Sequence, residues 1–82
     1  MRVKVKLFAT LTRFAPNGQS AGIAFEMEVA GEATLADVAD MLRLPPEEIK
    51  IAYVNARAQS LDWKLEDGDE IGYFPPVGGG TE

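Results

Sequence analysis

The sequence predicts an α+β roll in which a mixed sheet of four to five strands packs on one main helix. Three observations carry that expectation. Residues 2–7 alternate strictly between charged and apolar side chains, the period of a half-buried strand. Leu35, Val38, Ala39 and Leu42 recur at the spacing of one helical face. Residues 70–74 read as a last strand, stopped by Pro75 and Pro76, since proline cannot donate to a ladder. One helix laid across one face of a small mixed sheet is the simplest way to bury all three stripes.

In the first strand Val3, Val5 and Leu7 face one way and Arg2, Lys4 and Lys6 the other, so Phe8, next in line, points with the lysines. The polar, glycine-containing residues 12–22, with Pro16-Asn17-Gly18 as their turn signal, read as a long connection. Ile23, Phe25, Met27 and Val29 restore the period of two, with Glu26 and Glu28 between the last three, and complete a hairpin. Thr34 and Asp37 make a capping pair, with Asp where Glu or Gln is commoner, and open a helix over residues 34–42 or 34–43. Pro45 and Pro46 end it. Pro46-Glu47-Glu48-Ile49 suits one further helical turn, because proline and acids fit a helix amino terminus. Residues 49–54 read as a buried strand closing at Asn55, Leu61-Asp62-Trp63 as a short edge strand, and Asp67-Gly68-Asp69 as a turn. Trp63 and Tyr53 are assigned to the core or its edge rather than to a ligand platform.

Composition narrows the chemistry. The 82 residues make one domain, of a size that buries roughly 60 to 65 per cent of its unfolded surface, and 46% hydrophobic content suits a folded monomer. With neither cysteine nor histidine there is no disulfide framework, zinc finger or nucleophilic dyad, so any chemistry uses carboxylates, backbone or borrowed groups. Thirteen acidic against eight basic residues give a net charge of −5, which disfavours nucleic acid and anionic membrane and favours a protein partner with a basic groove. The first residues alternate without a continuous apolar run and read as neither signal peptide nor membrane span, so the expected location is cytoplasmic. Arg2, Lys4 and Lys6 are a solvated strand face. Asp67-Gly68-Asp69-Glu70 is too short, and too poor in ligands, for a calcium loop. Arg13 and Lys50 offer single charges that identify no partner.

The end of the sequence is its most distinctive part. Tyr73, Phe74, Pro75, Pro76 and Val77 run into Gly78, Gly79 and Gly80, with Thr81 and Glu82 beyond. Glycine loses most entropy on ordering, so three in a row read as a flexible tail over residues 78–82, carried by a domain over residues 1–77. The two prolines favour an extended exit that projects the tail outward. Without Cβ atoms such a tail can enter a narrow channel that a side-chain-bearing peptide could not. A glycine tail by itself is also what a frayed terminus looks like. The preceding Phe-Pro-Pro-Val sets this one apart.

The order of elements, together with Leu7-Phe8-Ala9, Val54-Asn55, Leu65-Glu66-Asp67-Gly68-Asp69-Glu70-Ile71 and above all Phe74-Pro75-Pro76-Val77 before Gly79-Gly80, resembles the MoaD/ThiS family of ubiquitin-like sulfur carriers. The likeness covers nearly the whole chain and leans to MoaD, the small subunit of molybdopterin synthase, because ThiS carriers usually lack Phe-Pro-Pro-Val. It implies a β-grasp fold. It implies that a ubiquitin-activating-type enzyme adenylates the terminal glycine with ATP, that a sulfur donor displaces AMP to leave a thiocarboxylate, and that a MoaE-like large subunit receives the tail and passes the sulfur to a pterin precursor of the molybdenum or tungsten cofactor. On this resemblance Gly80 carries the sulfur and Gly79 gives clearance, while Phe8, Phe74, Pro75, Pro76, Val77 and Gly78 meet partners. A third partner contact, commonly leucine, falls at Ala58. The chain would bind no cofactor or metal of its own and would act as a co-substrate or subunit rather than an enzyme.

One departure from the family pattern is chemical. Thr81-Glu82 places a peptide bond where a carboxylate is needed, and an amide carbonyl cannot be adenylated as a carboxylate can, so a tail-processing peptidase is expected to remove these residues. Three functions stay open on the sequence. A sulfur carrier, for molybdopterin or, ThiS-like, for the thiazole pathway, must be activated at Gly80; a ubiquitin-like modifier would appear in isopeptide bonds to lysines; a non-covalent β-grasp adaptor would work without its tail.

Overall fold

Strand β1 (Arg2–Leu7) is built as its sequence alternates: Val3, Val5 and Leu7 are buried while Arg2 and Lys4 are exposed. In this computed structural model, which describes residues 1–16 and 22–76, β1 pairs antiparallel with β2 (Phe25–Glu28) and parallel with β5 (Glu70–Phe74). The register sets Val5 opposite both Phe25 and Ile71, so the apolar stripe runs straight across the sheet. Strand β3 (Ile51–Val54) lies antiparallel to β5, and β4 (Arg57–Gln59) antiparallel to β3, giving the order β2-β1-β5-β3-β4. The first and last strands thus sit side by side at the centre, and helix α1 (Leu35–Met41) closes one face by burying Leu35, Val38 and Ala39. This is the β-grasp, ubiquitin-like fold.

The capping pair is present and reciprocal. Asp37 N donates to Thr34 Oγ1 at 3.2 Å and Thr34 N donates to Asp37 Oδ2 at 2.9 Å, so aspartate completes the box although shorter than glutamate. The helix stops before the prolines, by its own hydrogen bonds. Arg43 adopts a left-handed φ of 61°; its N–H donates to Asp40 O at 3.0 Å and Leu44 N donates to Ala39 O at 2.9 Å, the paired closure usually made with glycine. Leu44 is then buried and Pro46–Glu48 form a single 3₁₀ turn.

Several sequence expectations are corrected. Residues 61–63 are not an edge strand: the carbonyls of Leu61 and Trp63 accept from Ala36 N at 2.8 Å and Leu35 N at 3.1 Å, satisfying helix donors that have no partner inside α1. The edge is β4 instead, reached through Asn55 and Ala56 with φ of 51° and 72°, a turn that glycine would have advertised and alanine does not. Trp63 is exposed, and Tyr53 lies on the sheet face away from α1, outside the core. The connection after β1 contains a 3₁₀ helix, Ala9–Phe14, whose Leu11 is fully buried. Ile23 precedes β2 and is exposed, and the buried strand begins at Ile51 rather than 49. Asn17 and Gly18 of the expected turn, and Val77, Gly78, Gly79, Gly80, Thr81 and Glu82 of the tail, lie outside the described residues.

Candidate docking face at the end of the last strand

Strand β5 is held at both of its sides before it reaches the tail. At its start Asp69 Oδ2 accepts from Glu66 N at 2.8 Å and its Oδ1 from Asn55 Nδ2 at 3.0 Å, while Asn55 Oδ1 accepts from Glu70 N at 3.0 Å. Asp67 Oδ1 accepts from Arg2 N at 2.8 Å, and Gly68, at φ 89°, donates its N–H to Arg2 O. The Asn55 and Asp67-Gly68-Asp69 motifs are therefore a clasp joining β1, β5 and the β3–β4 turn. Along β5 side chains alternate: Ile71 and Tyr73 enter the core, whereas Glu70, Gly72 and Phe74 face away from α1. Tyr73 is fully buried and its hydroxyl donates to Leu35 O at 2.6 Å; burial pushes this phenol above its ordinary pKa.

On the open face Phe8 and Phe74 form a parallel stack, with ring centroids 4.2 Å apart and planes at 5°. Tyr53 meets Phe74 edge-on at 5.4 Å and 80°. Phe8 reaches this position because it follows β1 in an extended conformation, after which Ala9, at φ 52°, turns the chain into the 3₁₀ helix. Phe74 is fixed from the other side by Lys50 N, which donates to its carbonyl at 2.8 Å. Lys6, Phe8, Tyr53, Ala56, Gly72 and Phe74 line an open depression here, with Glu70 at its edge. Ala58, opposite Tyr53 on β4, is exposed on the same face. Phe74 and Pro75 are half-buried and Pro76, the last described residue, is exposed, so the face adjoins the end of the described chain.

The structure thus brings Phe8 and Phe74 into contact and places Pro75 and Pro76 after them. Tyr53, assigned from the sequence to the core or its edge, also lines the face, as do Ala56 and Gly72, which were not marked in the sequence; a glycine inside a strand pattern was the available signal for Gly72. Arg13 is engaged within the chain, its Nη2 donating to Glu48 Oε1 at 2.6 Å. Among the described residues no three His, Cys, Asp or Glu side chains are grouped to hold a metal ion, and no helix is long and apolar enough to cross a membrane. What the face offers chemically is aromatic surface with a charged rim.

The ThiS family model matches residues 5–80. The chain belongs to the ThiS family. Members of this family are small ubiquitin-like sulfur carriers of the MoaD/ThiS type rather than catalytic proteins. A Pyrococcus furiosus protein assigned as subunit 1 of a molybdopterin converting factor is 30% identical, with a TM-score of 0.70 over 94% of this chain and 99% of that one. SAMP1, small archaeal modifier protein 1 of Haloferax volcanii, is 27% identical, with a TM-score of 0.70 over 98% of this chain and 100% of that one. Subunit 1 or 2 in a Helicobacter pylori complex of the molybdopterin-converting factor shares the fold at 23% identity and a TM-score of 0.60, over 98% of this chain and 100% of that one. No curated protein matches the chain.

Proposed function

We propose that this chain is a sulfur carrier for molybdopterin synthesis, loaded at Gly80. A peptidase removes Thr81-Glu82 to free the Gly80 carboxylate. A ubiquitin-activating-type enzyme docks the open face, and a carboxylate oxygen attacks the α-phosphorus of ATP, releasing pyrophosphate and forming an acyl adenylate. A sulfide-level sulfur donor then attacks the acyl carbon and expels AMP, leaving the thiocarboxylate. The loaded tail enters a MoaE-like large subunit, which transfers sulfur to a pterin precursor. Gly79 and Gly78 give the clearance that the channel requires, and Pro75, Pro76 and Val77 lead the tail out of β5.

The observation that carries this reading is the Phe8–Phe74 stack on the sheet face away from α1, with Phe74 immediately before the Pro-Pro-Val-Gly-Gly-Gly segment in sequence. A soluble face gains little from exposed aromatics unless a partner covers them. The likeness to subunit 1 of the Pyrococcus furiosus factor supports the molybdopterin branch, and with it a second-subunit partner. The likeness to SAMP1 favours a second reading, a ubiquitin-like modifier that forms isopeptide bonds through the same activated Gly80.

The test is the intact mass of the protein from its own cells, then after incubation with its adenylating enzyme, ATP and a sulfide donor. Loss of residues 81–82 followed by exchange of one oxygen for sulfur is expected. Conjugates to lysine move the assignment to the modifier. An unchanged full-length mass refutes both and leaves a non-covalent adaptor.

A further inference from the structure

Neither its backbone nor its strand explains why residue 72, on the open face, is glycine. It is the middle outward position of β5, flanked across the ladder by Lys6 and Tyr53. Gly22 and Gly68 have positive φ, at 75° and 89°, and need to be glycine for that reason; Gly72 does not. A glycine in a strand interior weakens the strand, having no side chain to pack and more entropy to lose. What it leaves room for is Phe8. A Cβ on Gly72 would lie 3.3 Å from Phe8 Cε2 and 3.9 Å from Phe74 Cε2. At the other edge of the same ring, a Cβ on Gly22 would lie 3.5 Å from Phe8 Cε1, an ordinary contact. The Phe8 ring therefore rests its face on Phe74 and its two edges near bare glycine backbone.

We infer that Gly72 is a positioning residue for docking: by leaving no Cβ beneath the Phe8–Phe74 stack, it sets the height and tilt of the pair that the adenylating enzyme meets. The inference rests on the docking role given above. At 3.3 Å a single methyl forces the ring to give by a few tenths of an ångström, and the branched carbons of valine force it further. Because the two rings are parallel and in contact, displacing Phe8 also unstacks Phe74.

The experiment compares the full chain with Gly72→Ala and Gly72→Val. Strand propensity favours valine, so an effect on stability alone predicts an equal or higher melting temperature and unchanged docking. The positioning role predicts instead a melting temperature lowered by the displaced stack, together with two losses in the valine variant. NMR ring-current shifts of the Phe8 and Phe74 ring protons diminish, and the dissociation constant for the organism's own adenylating enzyme, read by calorimetry, rises roughly tenfold or more. The alanine variant falls between, and reads the same quantities should valine prevent folding. Retained ring-current shifts overturn the seating of the pair by Gly72. Diminished shifts with an unchanged dissociation constant overturn its role in docking. If the unaltered protein does not bind the adenylating enzyme, the sulfur-carrier reading fails and the docking role with it, while the ring-current comparison still decides whether Gly72 seats the pair.

Discussion

Tyr73 and Phe74 are consecutive in β5 and belong to opposite faces of one sheet. Tyr73 is wholly enclosed beneath α1 with its hydroxyl bonded to Leu35 O, while Phe74 is half-buried on the open side, stacked on Phe8 and touched edge-on by Tyr53. The difference teaches that stability and recognition are separated across the thickness of a single strand. The covered face is closed by packing, and a hole there would weaken the whole domain. The open face keeps apolar surface that the isolated chain does not need, which is affordable only because the covered face is complete.

The comparison breaks first, and most visibly, on truncation. Tyr73→Ala is expected to cost about 3–5 kcal/mol in denaturant unfolding, the range for deleting a buried aromatic. Phe74→Ala is expected to cost about 1–2 kcal/mol, from partial burial and one stacked pair. Docking to the adenylating enzyme should reverse the order: Phe74→Ala weakens binding by roughly 30-fold or more, as an interface anchor does. Tyr73→Ala weakens it only by the fraction unfolded. Equal stability losses at the two positions would show that the faces are not separable.

A smaller change sharpens the same contrast through pH. Tyr73→Phe keeps the packing and removes the hydroxyl bonded to Leu35 O, for an expected loss of about 1 kcal/mol at neutral pH. The folded phenol titrates above its unfolded value because burial disfavours the phenolate. Its contribution is therefore fully present below the unfolded pKa, about 10, and falls as the pH rises through and beyond it toward the folded value. The stability of the native protein should decline above that pH, and that of Tyr73→Phe should decline less. Parallel declines would place the alkaline sensitivity elsewhere.

The two faces were also unequally legible in the sequence. Periodicity reports burial, so Val3, Val5, Leu7, Leu35, Val38 and Ala39 could be placed from the sequence, and the Thr34–Asp37 pair located the start of α1 to the residue. The outward side of the same strands carries no such period: Phe8 could be aimed by extending the alternation, but its contact with Phe74 joins two distant segments and follows only from the parallel β1–β5 register. Tyr53 was assigned to the core or its edge for a similar reason, since β3 reads as a short apolar run whose two faces look alike. The β4 edge was missed because Asn55 and Ala56 form its turn without glycine, and residues 61–63 were taken for the edge because a strap that caps helix donors looks, in sequence, like a short strand.

Those left-handed residues supply the smallest test. Arg43 at the end of α1 and Ala56 at the rim of the open face both have φ near that region's centre, at 61° and 72°, where a side chain costs about 1–2 kcal/mol. Replacing either by glycine relieves this and returns about 0.4–1 kcal/mol as added freedom of the unfolded chain. Each of Arg43→Gly and Ala56→Gly should therefore stabilise by about 0.5–1 kcal/mol, read as a rise in the denaturant midpoint. The pair matters because the two sites lie on different sides of the comparison. Arg43 belongs to the helix closure and its replacement should leave docking unchanged. Ala56 lines the aromatic depression, so removing its methyl should alter the dissociation constant by a small but measurable factor. A docking change at Arg43 as large as that at Ala56 would mean that the covering helix and the open face communicate through the sheet, and the separation drawn from Tyr73 and Phe74 would have to be given up.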